Sequence, residues 1–227
     1  MKNVINFLDL LKDNNNKPWF DAHKSEYLAA QAEFTAFAEK LIAGIAGFDP
    51  SVAGLTPKDC MYRIYRDTRF SNNKEPYKNW IGAYVCRGGK KSGYAGYYFH
   101  VESRGADYIG ANVLAAGLYS PESKILKSVR EEILDNGQGF ETALKKAADA
   151  GFAMDQSRKL QRVPRDFPPD SPWAEYLKLK EFSIIKPISE KELYSGNLLE
   201  KSLEAFRGCK DINDLFNKAI TYAYEEM

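Results

Sequence analysis

The stretch that most constrains the fold is a pair of strand-like segments joined by a short loop. The segments NWIGAYVCR (79–87) and YAGYYFHVES (94–103) are rich in aromatic and β-branched residues, and GGKKSG (88–93) between them has the composition of a hairpin loop. A hairpin pairs its two strands antiparallel. The sequence therefore predicts an antiparallel sheet, to which we add strands at 61–70 and at about 106–115.

Helical periodicity is found on both sides of this sheet region. Apolar residues recur at spacings of three and four, which is typical of amphipathic helices, over 1–50 and again over 120–227. No internal repeat and no low-complexity linker divides the chain. The sequence therefore predicts one α+β domain over 1–227, with a mainly antiparallel central sheet in the sheet-rich region 58–118, flanked by N-terminal and C-terminal helices.

Local signals place several of these helices. Asn16 is predicted to cap a second helix that continues through Ile45. After the sheet, residues 151–170 are rich in proline and are expected to form a long loop or an extended arm. A further helix is expected to start at Ser171, and the final helix near Asp211.

Composition argues against several classes of protein. No run of 18 apolar residues occurs, so we expect no transmembrane helix and no membrane partner. The first residues have the pattern of an amphipathic helix, and we expect no signal peptide there. The three cysteines, Cys60, Cys86 and Cys209, lack metal-ligand spacing, so we predict no metal site and a reducing, cytoplasmic location. The cofactor and the oligomeric state stay open.

Charge is distributed unevenly along the chain. The formal net charge of +1 argues against a general nucleic-acid coat protein. Between Lys58 and Lys91, however, nine Lys or Arg residues stand against three acidic ones, a local balance of +6, so the remainder carries −5. One basic patch on an otherwise acidic body can guide an anion to one place.

This positive charge is concentrated in RIYRDTRFSNNKEPYK, residues 63–78, which we call the basic segment. If residues 62–70 form a strand, side-chain alternation places Arg66 on a mostly apolar face, where a guanidinium must be paired or bind an anion. Pro76 restricts the following loop, which is then partly pre-organised. We therefore predict a site for a phosphate- or carboxylate-bearing small molecule. Its predicted ligand-binding residues are Arg63, Arg66, Arg69, Ser71, Lys74, Tyr77 and Lys78.

Two other interpretations of the basic segment stay open. In the first, its charges only stabilise the fold: Asp67 pairs with Arg69 or Arg63, and Glu75 pairs with Lys78. In the second, the basic surface binds nucleic acid, and aromatic residues of the neighbouring strand stack on bases. If the protein is an enzyme, its residues favour electrostatic stabilisation over covalent chemistry, because no nucleophile with an adjacent base is found.

The two histidines are the only ready candidates for acid–base chemistry. His100 alternates with Tyr98 and Glu102 along one strand, so the three share a face and provide a base with a carboxylate to orient it. A polar sheet face without catalytic function is the alternative, and the one that we favour. His23 lies four residues after Trp19 and is expected to be a hydrogen-bonded boundary residue rather than a site residue.

The sequence resembles one known family. RDTRFSNNKEPYK is similar to the signature Arg-Asp-x-Arg-Phe-Ser-x-x-Lys-x-Pro-Tyr-Lys of a family of uncharacterised conserved proteins from bacteria and fungi. NNNKPWFDAHKSEY, AGYYFHVES with GLYSPES, and LQRVPRDFPPDSPWAEYLKLKEF also match, so the resemblance covers nearly the whole chain. RGADYIGANVLAA is longer and more apolar than the family's counterpart. The resemblance implies a functional site at the signature and names no reaction, because no activity is established for the family.

Overall fold

A five-stranded antiparallel sheet lies at the centre of the computed structural model, which describes residues 1–225. The strands are β1 (Trp80–Cys86), β2 (Gly96–Glu102), β3 (Val113–Leu118), β4 (Ala153–Met154) and β5 (Phe182–Pro187), in the spatial order β1-β2-β3-β5-β4. The α+β class with an antiparallel sheet is therefore confirmed. None of the helices within the described residues is long and apolar enough to cross a bilayer.

Helices precede and follow the sheet. Before it come α1 (Lys2–Asp13), α2 (Lys17–Ala22), α3 (Lys24–Ala46), a 3-10 turn (Pro50–Val52) and α4 (Pro57–Cys60). After β3 come α5 (Ser123–Asp135), α6 (Gly137–Asp149), α7 (Ala174–Leu177), α8 (Glu190–Leu193), α9 (Leu198–Arg207) and α10 (Lys210–Glu225). The last of these begins where the sequence predicts the final helix.

The β1–β2 hairpin is present as predicted and sets the register of the sheet. Trp80 pairs with Glu102, and Gly82 pairs with His100. The connecting loop turns at Gly88, whose φ of +74° is a conformation that L-residues rarely adopt. The hairpin thus brings side chains of β1 next to side chains of β2 that come many positions later in the sequence.

The helices pack on one face of the sheet. Phe99 of β2 lies 4.6 Å, centroid to centroid, from Phe37 of α3, and Tyr97 lies 5.5 Å from Phe206 of α9. Burying each such ring stabilises the fold by about 1.5–3 kcal/mol. These rings of β2 are core residues, which removes them from the proposed base-stacking set. The opposite face carries Trp80, Gly82, Tyr84, Tyr98, His100, Glu102 and Ala115.

The predicted strand at 61–70 is wrong. The segment makes isolated bridges only, because its backbone hydrogen bonds go to two different partners. The N–H of Tyr62 donates to Gly82 of β1, whereas the N–H of Arg66 donates to Pro76 within the same segment. A continuous ladder cannot form with two partners that diverge, so the expected alternation of side chains over 62–70 does not apply.

Other boundaries also differ from the expected ones. The strand expected at 106–115 begins only at Val113, because the chain first turns through Gly105 and Gly110, both with positive φ. The proline-rich stretch 151–170 contains the short strand β4, and β5 lies in a region expected to be helical. The helix expected from Ser171 is the single turn α7.

The predicted second helix is two helices, α2 and α3. Asn16 caps the first as predicted, since its side-chain oxygen accepts the N–H of Trp19 at 3.0 Å. The helix ends at His23, where both the backbone N–H and the ring nitrogen Nδ1 bond to the carbonyl of Trp19, at 3.0 and 2.8 Å. In a continuous helix, the carbonyl of Trp19 would accept a hydrogen bond from one backbone N–H only. Here it also bonds to the imidazole of His23, and α2 ends at this residue.

Replacing Gly117 by alanine should destabilise the sheet. Its φ is +94°, and an added Cβ would overlap the carbonyl oxygen of Phe182 on β5. Gly110 is the matched control, because its φ is +84° but an added Cβ meets nothing within 4 Å. We expect Gly110→Ala to lower the free energy of unfolding by about 1 kcal/mol and Gly117→Ala by about 2–4 kcal/mol. Urea unfolding measures both, and equal losses would contradict the packing described for β3 and β5.

Candidate ligand-binding site

The basic segment folds back on itself as a narrow loop. Two backbone hydrogen bonds close it: Arg66 N–H donates to the carbonyl of Pro76 at 2.9 Å, and Lys78 N–H donates to that of Ile64 at 2.8 Å. We call residues 67–75, which lie beyond these bonds, the tip. The two ends of the segment are thus held side by side next to β1, and the tip projects away from them.

The charges at the tip are largely paired with one another. Arg69 donates to both carboxylate oxygens of Asp67, at 2.9 and 2.7 Å, and these hydrogen bonds lower the pKa of Asp67 to about 2. Arg66 Nη1 lies 3.4 Å from Glu75 Oε2, a long contact. The expected Asp67–Arg69 pair is therefore present, whereas the expected pairing of Glu75 with Lys78 is wrong.

Three further residues predicted to bind the ligand do not join a common site. Lys74 Nζ donates to the carbonyl of Thr68 at 3.0 Å, and the N–H of Ser71 donates to the same carbonyl at 3.4 Å. Tyr77 is only 4% exposed and stacks on Phe20 of α2, with the ring centroids 4.0 Å apart. Lys74 and Ser71 close the tip, and Tyr77 anchors the segment in the core.

Lys78 has different surroundings. Its ammonium donates to the carbonyl of Arg63 at 2.8 Å and lies over the rings of Trp80, at 4.6 Å, and Tyr62, at 5.6 Å. Burial lowers the pKa of Lys78 to about 8, and the charges of Arg63 and Arg66 add to this effect. Among residues 1–225, neither Lys78 nor Arg63 has a carboxylate within 4.0 Å.

Two aromatic rings lie against the ammonium of Lys78, and further rings continue from them along the sheet. Trp80 stacks on Tyr108 at 4.7 Å and 15°, while Tyr62 packs edge-on against Trp80 at 5.9 Å and Tyr98 at 6.2 Å. Burial raises the pKa of Tyr62 to about 12, and the nearby phenols of Tyr108 and Tyr119 contribute. Tyr108 and Tyr119 are 55% and 68% exposed. We call Tyr62, Trp80, Tyr98, Tyr108 and Tyr119 the aromatic face.

A chain of hydrogen bonds runs beneath the aromatic face. Tyr98 Oη lies 2.8 Å from His100 Nδ1, and His100 Nε2 lies 3.2 Å from Glu102 Oε2. His100 is fully buried and Glu102 is 3% exposed. The same Glu102 oxygen accepts the N–H of Ile109 at 3.1 Å. The three residues that the sequence places on one strand face are therefore directly connected.

The protonation state of this chain follows from its surroundings. Burial opposes the charged form of Glu102, but hydrogen bonds from His100 and Ile109 outweigh it and lower its pKa. An ionised carboxylate only accepts, so Nε2 of His100 carries the proton, and Nδ1 accepts the O–H of Tyr98. Burial lowers the pKa of His100, against the opposing effect of Glu102. At neutral pH, His100 is a neutral base held in one tautomer.

Trp80 contacts both Lys78 of the basic segment and His100, two residues that the sequence gives no reason to place together. Its ring contacts the ammonium of Lys78 and lies 5.3 Å from the ring of His100. Gly82, next on the same face, leaves room for Tyr98, since an added Cβ would lie 2.6 Å from the tyrosine hydroxyl. The β1–β2 register therefore brings the basic segment and the histidine together.

Sequence reasoning missed three members of the aromatic face. The hairpin register, once it is known, places Trp80 opposite Glu102 and therefore on this face of the sheet. Tyr108 lies in a stretch that was expected to be a strand, and Tyr119 follows β3 directly. No sequence signal that we recognise places these two tyrosines on the same surface.

His23 lies outside this cluster. Its ring stacks on Trp19, with the centroids 4.1 Å apart and the planes at 15°. Its Nδ1 bonds to the Trp19 carbonyl, at the boundary of α2 and α3. These contacts are those of a hydrogen-bonded boundary residue, as the sequence predicts.

Two clefts in the structure lie elsewhere. One of about 1170 Å³ runs between α5 and α10, and another of about 390 Å³ lies beside Lys186 and Lys201. Neither is lined by a residue of the basic segment or by His100. The aromatic face is the better candidate, because Lys78, which has no acidic partner among residues 1–225, and the buried base His100 both contact Trp80 there. Within residues 1–225, no group of three or more His, Cys, Asp or Glu is placed to hold a metal ion.

Comparison with known proteins gives a family match over most of the chain. The model of a family described as "Conserved hypothetical protein (DUF2461)" matches residues 3–215. No curated protein and no solved structure matches the chain. The matched span contains all five strands, the basic segment and the aromatic face.

The pKa of His100 should lie below its ordinary value of 6.5, because burial disfavours the imidazolium. Glu102→Gln should lower it further, since the carboxylate favours the charged ring. The unfolded chain then binds this proton at a higher pH than the folded one does, so the free energy of unfolding falls as the pH drops below about 6.5. NMR titration of the His100 resonance measures this pKa. A His100 pKa above 6.5, or one unaffected by Glu102→Gln, would contradict the assigned network.

Proposed function

The chain belongs to this family of conserved hypothetical proteins, whose model spans residues 3–215, and we propose that it binds a small phosphate- or carboxylate-bearing ligand at Lys78. Arg63 and Arg66 complete the proposed set of cations. The observation that carries the proposal is the half-buried ammonium of Lys78, which has no acidic partner among the described residues. We also propose a cytoplasmic location, since the three cysteines are free and buried, as is usual in a reducing compartment.

The surroundings of Lys78 satisfy its charge incompletely. An ammonium has three N–H donors, and the carbonyl of Arg63 accepts one of them at 2.8 Å. The rings of Trp80 and Tyr62 contribute a cation–π attraction but accept no conventional hydrogen bond. A partly desolvated cation is costly unless an opposite charge compensates it. A bound anion would supply both the missing acceptors and the missing charge.

The neighbouring arginines favour an anion at the same place. The charges of Arg63 and Arg66 both contribute to the lowered pKa of Lys78, after burial, so each arginine lies close enough to repel its ammonium. Among residues 1–225, Glu75 lies beside Arg66 in a long contact of 3.4 Å, and the charge of Arg63 acts on Asp67 without an ion pair between the two. An anion between these groups would turn repulsion into attraction, with arginine donors suited to two oxygens at once.

For the tip, by contrast, the geometry supports the fold-stabilising interpretation. Arg69 donates two hydrogen bonds to Asp67, and Lys74 donates one to the backbone carbonyl of Thr68. The set of seven predicted ligand-binding residues thus reduces to Lys78, Arg63 and Arg66. The others hold the loop that presents these three.

Nucleic-acid binding is the alternative for the same surface. Phe70 at the tip is 94% exposed, beside the guanidinium of Arg69 at 5.8 Å, and could stack on a base. Binding through phosphates releases counterions, so the affinity of a short oligonucleotide would then fall steeply with salt. Binding of inorganic phosphate without binding of the oligonucleotide at low salt would exclude this alternative.

General acid–base catalysis on the same ligand is a second candidate function, favoured by the unbroken chain from Tyr98 through His100 to Glu102. Tyr98 Oη would take the proton of a ligand hydroxyl while its own proton passes to His100 Nδ1. The electron pair left on the ligand oxygen, on the face that carries Lys78, would form a bond to the phosphorus or carboxyl carbon of the same ligand. The oxygen displaced there would leave as water, with a proton returned from His100 through Tyr98. The carboxylate of Glu102 would stabilise the imidazolium so formed.

Catalysis by this chain predicts a loss of turnover in His100→Gln. We expect wild type to consume a member of a panel of hydroxylated phosphates and carboxylates at least about a hundredfold faster than the variant, which is typical of a lost general base. Phosphate affinity should be retained, because His100 is not among the proposed cations. NMR of the mixtures measures consumption. No turnover in wild type, or equal turnover in both proteins, would exclude the second function and leave the binding proposal in place.

Removing the ammonium of Lys78 should weaken anion binding. Lys78→Met keeps an unbranched apolar side chain against Trp80 and Tyr62, so packing is largely preserved. We expect the Kd for inorganic phosphate, measured by calorimetry at low salt, to rise about tenfold or more, which is ~1.4 kcal/mol. Lys74→Met is the matched control in the same segment and should change the Kd less than about twofold, within what an exposed charge contributes. Equal effects, or no phosphate binding by wild type, would exclude the proposed site.

The affinity for an anion that keeps a constant charge should also depend on pH. The pKa of Lys78 is lowered to about 8, so the ammonium loses its proton as the pH rises through that value. A bound anion favours the charged form, so binding takes up a proton above about pH 8, and affinity declines there. Titration of acetate between pH 7 and 9.5 measures this decline, which should be absent in Lys78→Met. An affinity that is flat over this range in wild type would contradict the involvement of Lys78.

A further inference from the structure

We infer that the ligand carries a flat aromatic ring beside its anionic group, and that this ring stacks on the outer face of Tyr108. The inference rests on the proposed function, because it takes Lys78 with its two arginines as the anion site. It adds a second part to that site, made of rings. The proposed ligand class is therefore that of aryl phosphates and aryl carboxylates.

Tyr108 presents one face of its ring to the protein and the other to solvent. On the inner side it stacks on Trp80 at 4.7 Å and 15°, and on His100 at 5.9 Å and 29°. The residue is nevertheless 55% exposed. A ring covered on one side by near-parallel rings, and open on the other, can accept a further ring that extends the same stack.

The ring of Trp80 connects the open ring of Tyr108 with the proposed anion site. Trp80 contacts both the ring of Tyr108 and the ammonium of Lys78, whose Nζ lies 4.6 Å from the Trp80 centroid. Burial raises the pKa of Tyr108, and the phenol of Tyr119, itself 68% exposed, lies near enough to add to this effect. A ligand with a charge at one end and a ring at the other would thus contact a cation and an aromatic surface at once. Sites for small molecules commonly combine mostly apolar walls with a few polar groups.

The loop that carries Tyr108 is anchored in place. The N–H of Ile109, the next residue, donates to Glu102 Oε2 at 3.1 Å, and the N–H of Glu102 donates to Asn112 Oδ1 at 3.0 Å. Glu102 is the carboxylate that also orients His100. The exposed ring is therefore held before a ligand arrives, and a pre-organised surface loses less freedom on binding.

Three phosphates separate the contribution of the ligand's ring to the affinity from that of its charge. We would measure the Kd of inorganic phosphate, phenyl phosphate and cyclohexyl phosphate by calorimetry at one pH and one salt concentration. A stacked ring predicts that phenyl phosphate binds about tenfold more tightly than inorganic phosphate. Cyclohexyl phosphate has a similar size without a flat π-system, and should gain less than about threefold. Acetate and benzoate form the corresponding pair for a carboxylate site.

Substitutions locate the gain. Tyr108→Ala should bring phenyl phosphate to within about twofold of inorganic phosphate and leave inorganic phosphate unchanged. Tyr222→Ala is the control, because Tyr222 is similarly exposed at 56% but lies on α10 and lines the cleft between α5 and α10, which contains no residue of the basic segment. It should leave every Kd unchanged. Thermal melting establishes that both variants are folded.

The outcomes separate this inference from the proposed function. If the inorganic and aryl anions bind equally well, the anion site stands and the aromatic inference is wrong. If cyclohexyl and phenyl phosphate gain equally, the contact is merely apolar, and stacking is excluded. If neither member of either pair binds, the proposed function fails and the inference fails with it.

Discussion

The pairing of β1 with β2 is the constraint on which the rest of the site depends. Opposite Gly82 lies His100, and opposite Trp80 lies Glu102. The missing side chain at Gly82 leaves room for the ring of Tyr98, whose hydroxyl then reaches the imidazole. If this register shifted by one residue, the hydrogen-bonded side chains of Tyr98, His100 and Glu102 would point into the core. The core rings of Tyr97 and Phe99 would then point towards solvent.

The basic segment combines two kinds of charge that look alike in the sequence. At the tip, each cation finds an acidic or carbonyl partner within a few residues, so the charges serve the shape of the loop. Outside the tip, Lys78 donates to the backbone carbonyl of Arg63 and lies over the rings of Trp80 and Tyr62, and within residues 1–225 its charge has no acidic partner. The structural interpretation of the tip and the proposed ligand binding at Lys78 are therefore compatible, because they concern different residues.

The sequence predicts those features whose causes are local. Aromatic and β-branched residues around a glycine-rich loop indicate the hairpin, and the Asn16 cap indicates α2. Features that depend on distant partners are not predicted. Residues 61–70 fail as a strand because their hydrogen bonds are divided between β1 and the segment itself. The position of Tyr108 depends on a hydrogen bond between Glu102 and the following loop, which no periodicity records.

The contact between Lys78 and Trp80 also makes the proposed site observable by tryptophan fluorescence. The chain has three tryptophans, of which Trp19 lies against His23 and Trp173 over Gly137. Trp80 alone of these has an ammonium over its ring in the described structure, at 4.6 Å. A charge beside an indole shifts the energy of its excited state, and neutralising that charge shifts it back. The chain thus contains its own fluorescent reporter of whether the space above Lys78 is filled.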